Sequence, residues 1–189
     1  CIALKKIDIP SKVSKLDDMA FAGCIALESI SMHDGLGKIG KNAFKDCKSL
    51  SEVYIPQSVN TMGTSPFRGC DTLSRIAVAP KSKHFKSVDD ILFNKNKSIL
   101  ICYPAEKDKY EDEVPDSVTI ISDWAFCECR KLSKITIPDS VYEIGEGAFY
   151  KCTGLKYLEL PDSVERIDDT AFRGCSELET IVIPSSVKE

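Results

Sequence analysis

Apolar and polar positions alternate in short segments that recur along the chain. Alternation over so few residues is typical of a β-strand with one buried face. A proline closes most of these segments and has no N–H for a sheet ladder, so each strand is predicted to end there. The segments close to L-x-x-I-x-I-P are "LKKIDIP" from Leu4, "LSEVYIP" from Leu50, "LSKITIP" from Leu132, "LKYLELP" from Leu155 and "LETIVIP" from Leu178.

A second type of segment follows each proline, as in "DSVYEIGEGAFYKC". Its apolar residues are Val141, Ile144, Ala148, Phe149 and Cys152. Their spacing places them on one side of a helical or 3₁₀ segment. Each unit is therefore predicted to be a strand, a turn and a short helical return.

The cysteines mark the period of this pattern. Cys1, Cys24, Cys47 and Cys70 are 23 residues apart, and Cys129, Cys152 and Cys175 resume the same step. A unit of this size cannot bury its apolar side alone, so the units are expected to stack. The pattern predicts a repeat solenoid with a parallel β-sheet on its concave side and the returns on the other side. Residues 1–189 are predicted to form a single domain of about seven full units plus partial ends.

One unit, at about residues 73–108, is longer than the others, because the step from Leu73 to Leu132 is 59 residues. It contains "ILFNKNKSILICYP", in which two apolar runs flank a turn-prone Asn-Lys-Asn-Lys stretch. This arrangement predicts a β-hairpin insertion. The next unit is irregular, and "YEDEVPDSV" supplies only a weak strand before Pro115.

The pattern I-P-x-S-V-x-x-I-x-x-x-A-F-x-x-C-x-x-L resembles the BspA-like, or Treponema-type, class of leucine-rich repeat. It matches in full from Ile137 to Leu155, and the long unit resembles the hairpin-bearing variant of that family. The resemblance implies an extracellular or cell-surface location. It also implies an adhesin-like role toward host matrix or plasma proteins, such as fibronectin and fibrinogen, or toward other microbes. His33, Pro66 and Asp112 depart from the repeat and predict local irregularity near the middle of the sheet.

The composition limits the classes of partner that the chain is expected to bind. The formal net charge of -4 argues against nucleic acid and anionic membranes, because both require a basic face. No run of about 18 apolar residues is present, so no membrane insertion is expected. The chain starts at Cys1 and stops just after a strand motif, which predicts a fragment of a longer array and end-to-end self-association.

The recurring cysteines have four possible roles: disulfides, metal ligands, reactive thiols or core filling. Seven equivalent cysteines cannot all pair, and cysteine is among the most often buried residues. The "CEC" stretch lacks common zinc spacing and the chain has only two histidines, so neither a metal nor another cofactor is predicted. We predict a reduced structural column, whereas exposure or bonding of the off-register Cys102 and Cys127 stays open. The column comprises Cys24, Cys47, Cys70, Cys129, Cys152 and Cys175.

The outward residues of the strands are the first candidates for partner binding, because tyrosine and arginine are enriched among binding hot spots. The alternative is that they are ordinary solvated strand positions. The hairpin is the second candidate, and its alternative is a spacer that bends the stack. The only tryptophan, Trp124, is expected to be partly exposed and either to anchor a partner or, preferably, to cover the junction after the hairpin. The candidates are Glu52, Tyr54, Arg75, Lys134, Tyr157 and Glu159 on the concave face, and Ile91, Phe93 and Tyr103 on the hairpin.

The function predicted is a non-enzymatic protein–protein interaction module. Two alternatives stay open: a targeting or carbohydrate-binding arm of a larger surface enzyme, and a structural stalk.

Overall fold

The structure, a computed structural model, describes residues 1–188. This part of the chain contains seventeen short β-strands and no helix. The strands are β1 (Lys6–Asp8), β2 (Lys15–Leu16), β3 (Ser29–Ser31), β4 (Lys38–Ile39), β5 (Glu52–Ile55), β6 (Thr61–Met62), β7 (Arg75–Val78), β8 (Phe85–Val88), β9 (Ile91–Asn94), β10 (Ile99–Cys102), β11 (Glu111–Glu113), β12 (Ile120–Ile121), β13 (Lys134–Thr136), β14 (Glu143–Ile144), β15 (Tyr157–Glu159), β16 (Arg166–Ile167) and β17 (Thr180–Val182).

The longer strand of each unit lies in a parallel ladder with its counterpart one period away. Strands β11, β13, β15 and β17 form one sheet, in which Lys134 pairs with Tyr157 and Ile135 with Leu158. Further pairs are β1 with β3 and β5 with β7. In β3, β13 and β15 a buried central residue alternates with exposed neighbours, as the sequence pattern requires. The predicted solenoid of the leucine-rich repeat type is confirmed.

A second ladder runs along the stack, built from the two-residue strands. Strands β2, β4 and β6 form one sheet, and the hairpin continues the other in the order β8–β9–β10–β12–β14–β16. Strand β9 is antiparallel to β8 and β10, while β10 is parallel to β12. The hairpin is confirmed, and β8 is an additional strand that the sequence pattern did not indicate.

The predicted helical or 3₁₀ returns are wrong. In the return of residues 147–152, the Phe149 N–H donates to Ala171 O of the next unit at 2.8 Å, whereas the Tyr150 N–H donates to Gly147 O at 2.9 Å. Successive amides thus alternate between the neighbouring unit and the local turn. Gly147 and Lys151 have φ of 57° and 55°, a left-handed conformation that a right-handed helix excludes.

Each return carries the same two left-handed positions, and side chains occupy most of them. The first set is Met19, Asn42, Ser65, Trp124, Gly147 and Thr170, and the second is Gly23, Asp46, Gly69, Glu128, Lys151 and Gly174.

Aromatic rings stack along the returns inside the core. Phe126 lies 4.8 Å from the ring of Phe149, centroid to centroid, and Phe149 lies 5.6 Å from Phe172. Tyr103, at the end of the hairpin, stacks on Phe126 at 4.8 Å, and its N–H donates to Ala125 O. The hairpin therefore supplies the aromatic ring that a regular unit would supply. No helix in residues 1–188 is both long enough and apolar enough to span a bilayer.

Candidate interaction surface

The outward residues of the longer strands form an unpartnered sheet surface, which we call the strand face. They alternate with the buried residues of the core, so their side chains point away from it. The strand face comprises Lys6, Asp8, Ser29, Ser31, Glu52, Tyr54, Arg75, Ala77, Glu111, Glu113, Lys134, Thr136, Tyr157, Glu159, Thr180 and Val182.

The predicted contact residues fall into two groups on this face. Glu52 and Tyr54 lie on β5 and Arg75 on β7, while the other three lie on β13 and β15. Glu52 is opposite Arg75 in the ladder. The Tyr54 residue is 52% exposed. Arg75 also forms an ion pair with Asp90 at 3.4 Å, which ties it to the turn between β8 and β9.

The two groups do not share one continuous sheet, because β5 and β7 form one sheet and β11, β13, β15 and β17 form another. Among residues 1–188, β7 has no ladder partner in β11, because β8 and β9 of the insertion lie beside β7 instead. The Ile76 N–H donates to Asp90 O at 3.3 Å at this junction. The insertion therefore divides the strand face into a half before it and a half after it.

The half after the insertion contains a groove of about 590 Å³ across β11, β13 and β15. Such a volume falls within the usual range of binding clefts. The groove brings together the predicted residues Lys134, Tyr157 and Glu159, and the Tyr157 residue is 61% exposed. The residues that sequence reasoning missed in its lining include Glu111, Asp139, Leu160 and Pro161.

The missed residues could have been found from the repeat register. Glu111 lies opposite Lys134, which in turn lies opposite Tyr157, each 23 residues apart. The sequence marks "YEDEV" only as a weak strand and so does not indicate by itself that Glu111 belongs to the ladder.

The predicted hairpin contacts must be corrected. Ile91, Phe93 and Tyr103 are all buried in the core. The hairpin lies within the short-strand sheet and does not project from it, since β8 and β12 pair on its two sides. None of these three side chains is available to a partner in this structure.

Asp112 lies at an inward strand position and forms polar contacts there. Its Oδ2 accepts a hydrogen bond from the Tyr103 hydroxyl at 3.0 Å, and its Oδ1 lies 3.1 Å from Lys109 Nζ. Burial and the nearby Asp112 carboxylate raise the pKa of Tyr103. Lys109 also pairs with Asp89 at 2.9 Å, and the hydrogen bonds from Lys109 and Lys107 lower the pKa of Asp89. The irregular unit is therefore stabilised by a polar network at the base of the hairpin.

All nine cysteines are free. In the column, Cys24, Cys47, Cys70, Cys129 and Cys152 are buried and Cys175 is half-buried. The off-register Cys102 and Cys127 are 8% and 9% exposed, so neither is exposed or bonded. Burial raises the pKa of both off-register thiols to about 12, and burial with the nearby Cys24 raises that of Cys47 to about 12. A thiol that ionises so reluctantly is a poor nucleophile.

Trp124 is 9% exposed, so the expectation of partial exposure is wrong. The Arg68 guanidinium carbon lies 3.2 Å from the centre of its ring, and Tyr150 packs against it at 5.1 Å. Gly147 makes room for the ring, because a Cβ there would come within 2.8 Å of it. Trp124 covers the junction after the insertion, the role preferred from the sequence.

Within residues 1–188, no cluster of three or more His, Cys, Asp or Glu residues is arranged to hold a metal ion. End-to-end association stays a prediction.

Residues 1–104 and 108–189 match the model of the BspA type leucine-rich repeat region, with six copies. No curated protein matches the chain.

Three solved bacterial structures share the fold. The pneumococcal vaccine antigen PcpA is 29% identical with a TM-score of 0.95, over 97% of this chain and 46% of that one. A leucine-rich repeat protein from Eubacterium ventriosum is 28% identical with a TM-score of 0.84, over 94% and 53%. A leucine-rich cell surface protein from Faecalibacterium prausnitzii is 30% identical with a TM-score of 0.82, over 97% and 55%. The chain thus spans about half the length of each of these chains.

Proposed function

Because the chain belongs to the BspA-type leucine-rich repeat family, we propose that it is a non-enzymatic protein-binding module of an extracellular or cell-surface protein, adhesin-like in function. Its partner is a host matrix or plasma protein or a protein of another microbe, and it binds the strand face. The similarity to a vaccine antigen and to a cell surface protein supports the location.

The observation that carries this proposal is the groove around Tyr157 on an otherwise unpartnered sheet face. Tyrosine contributes a large rigid contact area together with a hydroxyl group, and it is enriched among binding hot spots. Tyr54 presents a second exposed ring on the other half of the strand face. Two such anchors on one rigid scaffold fit a protein partner better than they fit a small molecule.

The test is binding of the purified chain to immobilised fibronectin, fibrinogen and a panel of other matrix and plasma proteins. Saturable binding that Tyr54→Ala or Tyr157→Ala weakens supports the proposal. Tyr142→Ala is the matched control, because Tyr142 is also exposed but precedes the short strand β14, away from the strand face.

The alternatives give different results in the same assay. A carbohydrate-binding arm would lose binding after enzymatic removal of glycans from the panel. In that case the binding of both tyrosine variants would be measured with isolated glycans instead of proteins. A structural stalk would bind no member. Binding that all three tyrosine variants retain would contradict the assignment to the strand face.

A further inference from the structure

Charge is unevenly distributed along the stack. Residues 1–109 contain 17 Lys and Arg against 12 Asp and Glu, whereas residues 110–189 contain 8 against 17. The groove on β11, β13 and β15 lies entirely in the second, acidic part. A ligand at this groove therefore experiences a negative potential that the chain's modest overall charge conceals.

Within the described residues, the carboxylates that line the groove form no ion pair, although Lys134 lies opposite Glu111 on the adjacent strand. Glu111, Asp139 and Glu159 line the groove, and within residues 1–188 none of them forms an ion pair. Other exposed carboxylates in the same half are paired, such as Glu165 with Lys188 at 2.9 Å and Glu177 with Lys156 at 3.6 Å. The unpaired carboxylates are thus free to bind charges on a partner.

The strand register places the groove carboxylates on different sides of the exposed Tyr157 ring. Glu111 lies on β11 and Glu159 on β15, two strands apart and two residues out of register, so their Cα atoms are roughly 12 Å apart. An extended segment that carries two basic residues can contact both. Tyr157 lies next to Glu159 on the opposite side of Leu158 and offers a ring face on which an arginine can stack.

We propose that the partner inserts an extended, arginine- or lysine-bearing protein segment into the groove around Tyr157, with its cations against Glu111, Asp139 and Glu159. This inference rests on the proposed function and specifies its partner. The apolar rim of Leu160 and Pro161 contacts the backbone and the aliphatic stems of that segment. Lys134 is the only basic residue of the lining. It repels a cation placed close to it and so restricts the positions that the basic residues of the segment can occupy.

The probe is a capped, fluorescein-labelled peptide of Arg-Pro-Pro repeats, whose extended polyproline II conformation has three residues per turn and so places its arginines on one side, roughly 9 Å apart. The same peptide with glutamate in place of arginine is its control. We expect binding of the arginine peptide alone, weakened as salt rises from about 50 to about 300 mM because exposed charges are screened.

Charge reversal at the groove is compared with the same reversal elsewhere. Glu159→Lys and Asp139→Lys are each expected to weaken binding roughly tenfold. Glu165→Lys changes the net charge equally but lies outside the groove lining, and we expect less than about a twofold effect. Circular dichroism and the melting temperature verify that each variant is folded.

Three outcomes overturn the inference: no binding of the arginine peptide, equal binding of both peptides, or an equal effect of Glu165→Lys and Glu159→Lys. The last would indicate attraction by net charge alone. If the peptide assay fails while Tyr157→Ala still weakens binding to a matrix or plasma protein, the protein-binding function stands and only the chemistry of the partner is wrong. If the peptide binds as expected while no protein of the panel does, the groove's preference stands and the proposed function must be revised.

Discussion

The thiol of Cys152 donates a hydrogen bond to the backbone carbonyl of Phe126, with a distance of 3.0 Å between Sγ and O. The same contact joins Cys47 to Phe21, Cys70 to Phe44 and Cys175 to Phe149, always 26 residues apart. Each cysteine therefore links its own unit to the preceding one. The recurring residue fills the core and also supplies a weak donor at the unit boundary.

Cys152→Ala is expected to lower the free energy of unfolding by about 1–3 kcal/mol, because it leaves a small cavity and removes the thiol donor. The Phe126 carbonyl keeps one donor, since the Cys129 N–H lies 3.2 Å from it. Urea denaturation followed by circular dichroism measures the change. A variant as stable as the wild type would show that neither the packing nor the hydrogen bond contributes.

Thiol labelling is expected to divide the cysteines sharply. Cys1 is exposed, whereas burial raises the pKa of Cys47, Cys102 and Cys127 to about 12. Burial likewise raises the pKa of Cys152 well above its ordinary value. At pH 8 these four thiols are therefore almost entirely protonated and unreactive in the folded chain. Mass spectrometry after brief iodoacetamide treatment should find Cys1 modified first, and all nine modified in guanidinium. Rapid labelling of Cys152 in the native state would contradict its place in the core.

The strands were predictable because burial of alternate residues leaves a direct trace in the sequence, as at Ile135 and Leu158. The returns were not, since a ladder of turns buries the same apolar positions as a helix does. Their left-handed residues are mostly not glycines: Met19 and Thr170 occupy such positions, although neither residue type favours them. The groove depended on the pairing of β11 with β13, which an irregular strand carrying Asp112 concealed.

The carboxyl of Glu128 is expected to make stability depend on pH. Its side chain is 10% exposed, and burial, followed by the neighbouring carboxyl of Asp71, raises its pKa above the ordinary 4.5. Because the folded pKa is the higher one, the protonated form stabilises the fold below pH 4.5. This contribution is lost as the pH rises through the folded pKa. Arg130 and Lys151 oppose the shift without reversing it.

Glu128→Gln mimics the protonated state at every pH. The stability of the wild type relative to this variant should therefore fall as the pH rises from below 4.5, as measured by thermal melting across a pH series. Glu165→Gln controls for an exposed carboxylate that is ion-paired on the surface. A constant difference between wild type and Glu128→Gln at all pH values would disprove the coupling.

The two halves of the strand face are expected to contribute unequally to binding. Tyr157 lines the groove across β11, β13 and β15, whereas Tyr54 lies on β5, before the insertion, and is not among the residues that line this groove. Tyr157→Ala should therefore weaken binding to a protein partner by roughly tenfold or more, and Tyr54→Ala by less. Titration of both variants against the same immobilised protein measures the ratio. A larger loss with Tyr54→Ala would place the main contact before the insertion.

The pair of Tyr103 and Asp112 replaces an apolar pair at the irregular unit. Tyr103 stacks on Phe126 at the position that a phenylalanine ring holds in the regular units, and its hydroxyl lies 3.0 Å from Asp112 Oδ2. Tyr103→Phe is expected to cost about 1–3 kcal/mol, because it removes the donor and leaves a nearly buried carboxylate with Lys109 as its remaining side-chain partner.

Tyr103→Phe combined with Asp112→Leu restores the apolar residues that the other units carry at these positions. Removing both polar partners together avoids an unpaired buried group, so the double variant should be more stable than Tyr103→Phe alone. Lys109 retains Asp89 as a partner at 2.9 Å, so the substitution leaves no isolated cation. Urea denaturation of the four proteins of this cycle measures the coupling between the two positions. Additive losses would mean that the hydroxyl and the carboxylate stabilise the fold independently, and that the departure of Asp112 from the repeat is not explained by Tyr103.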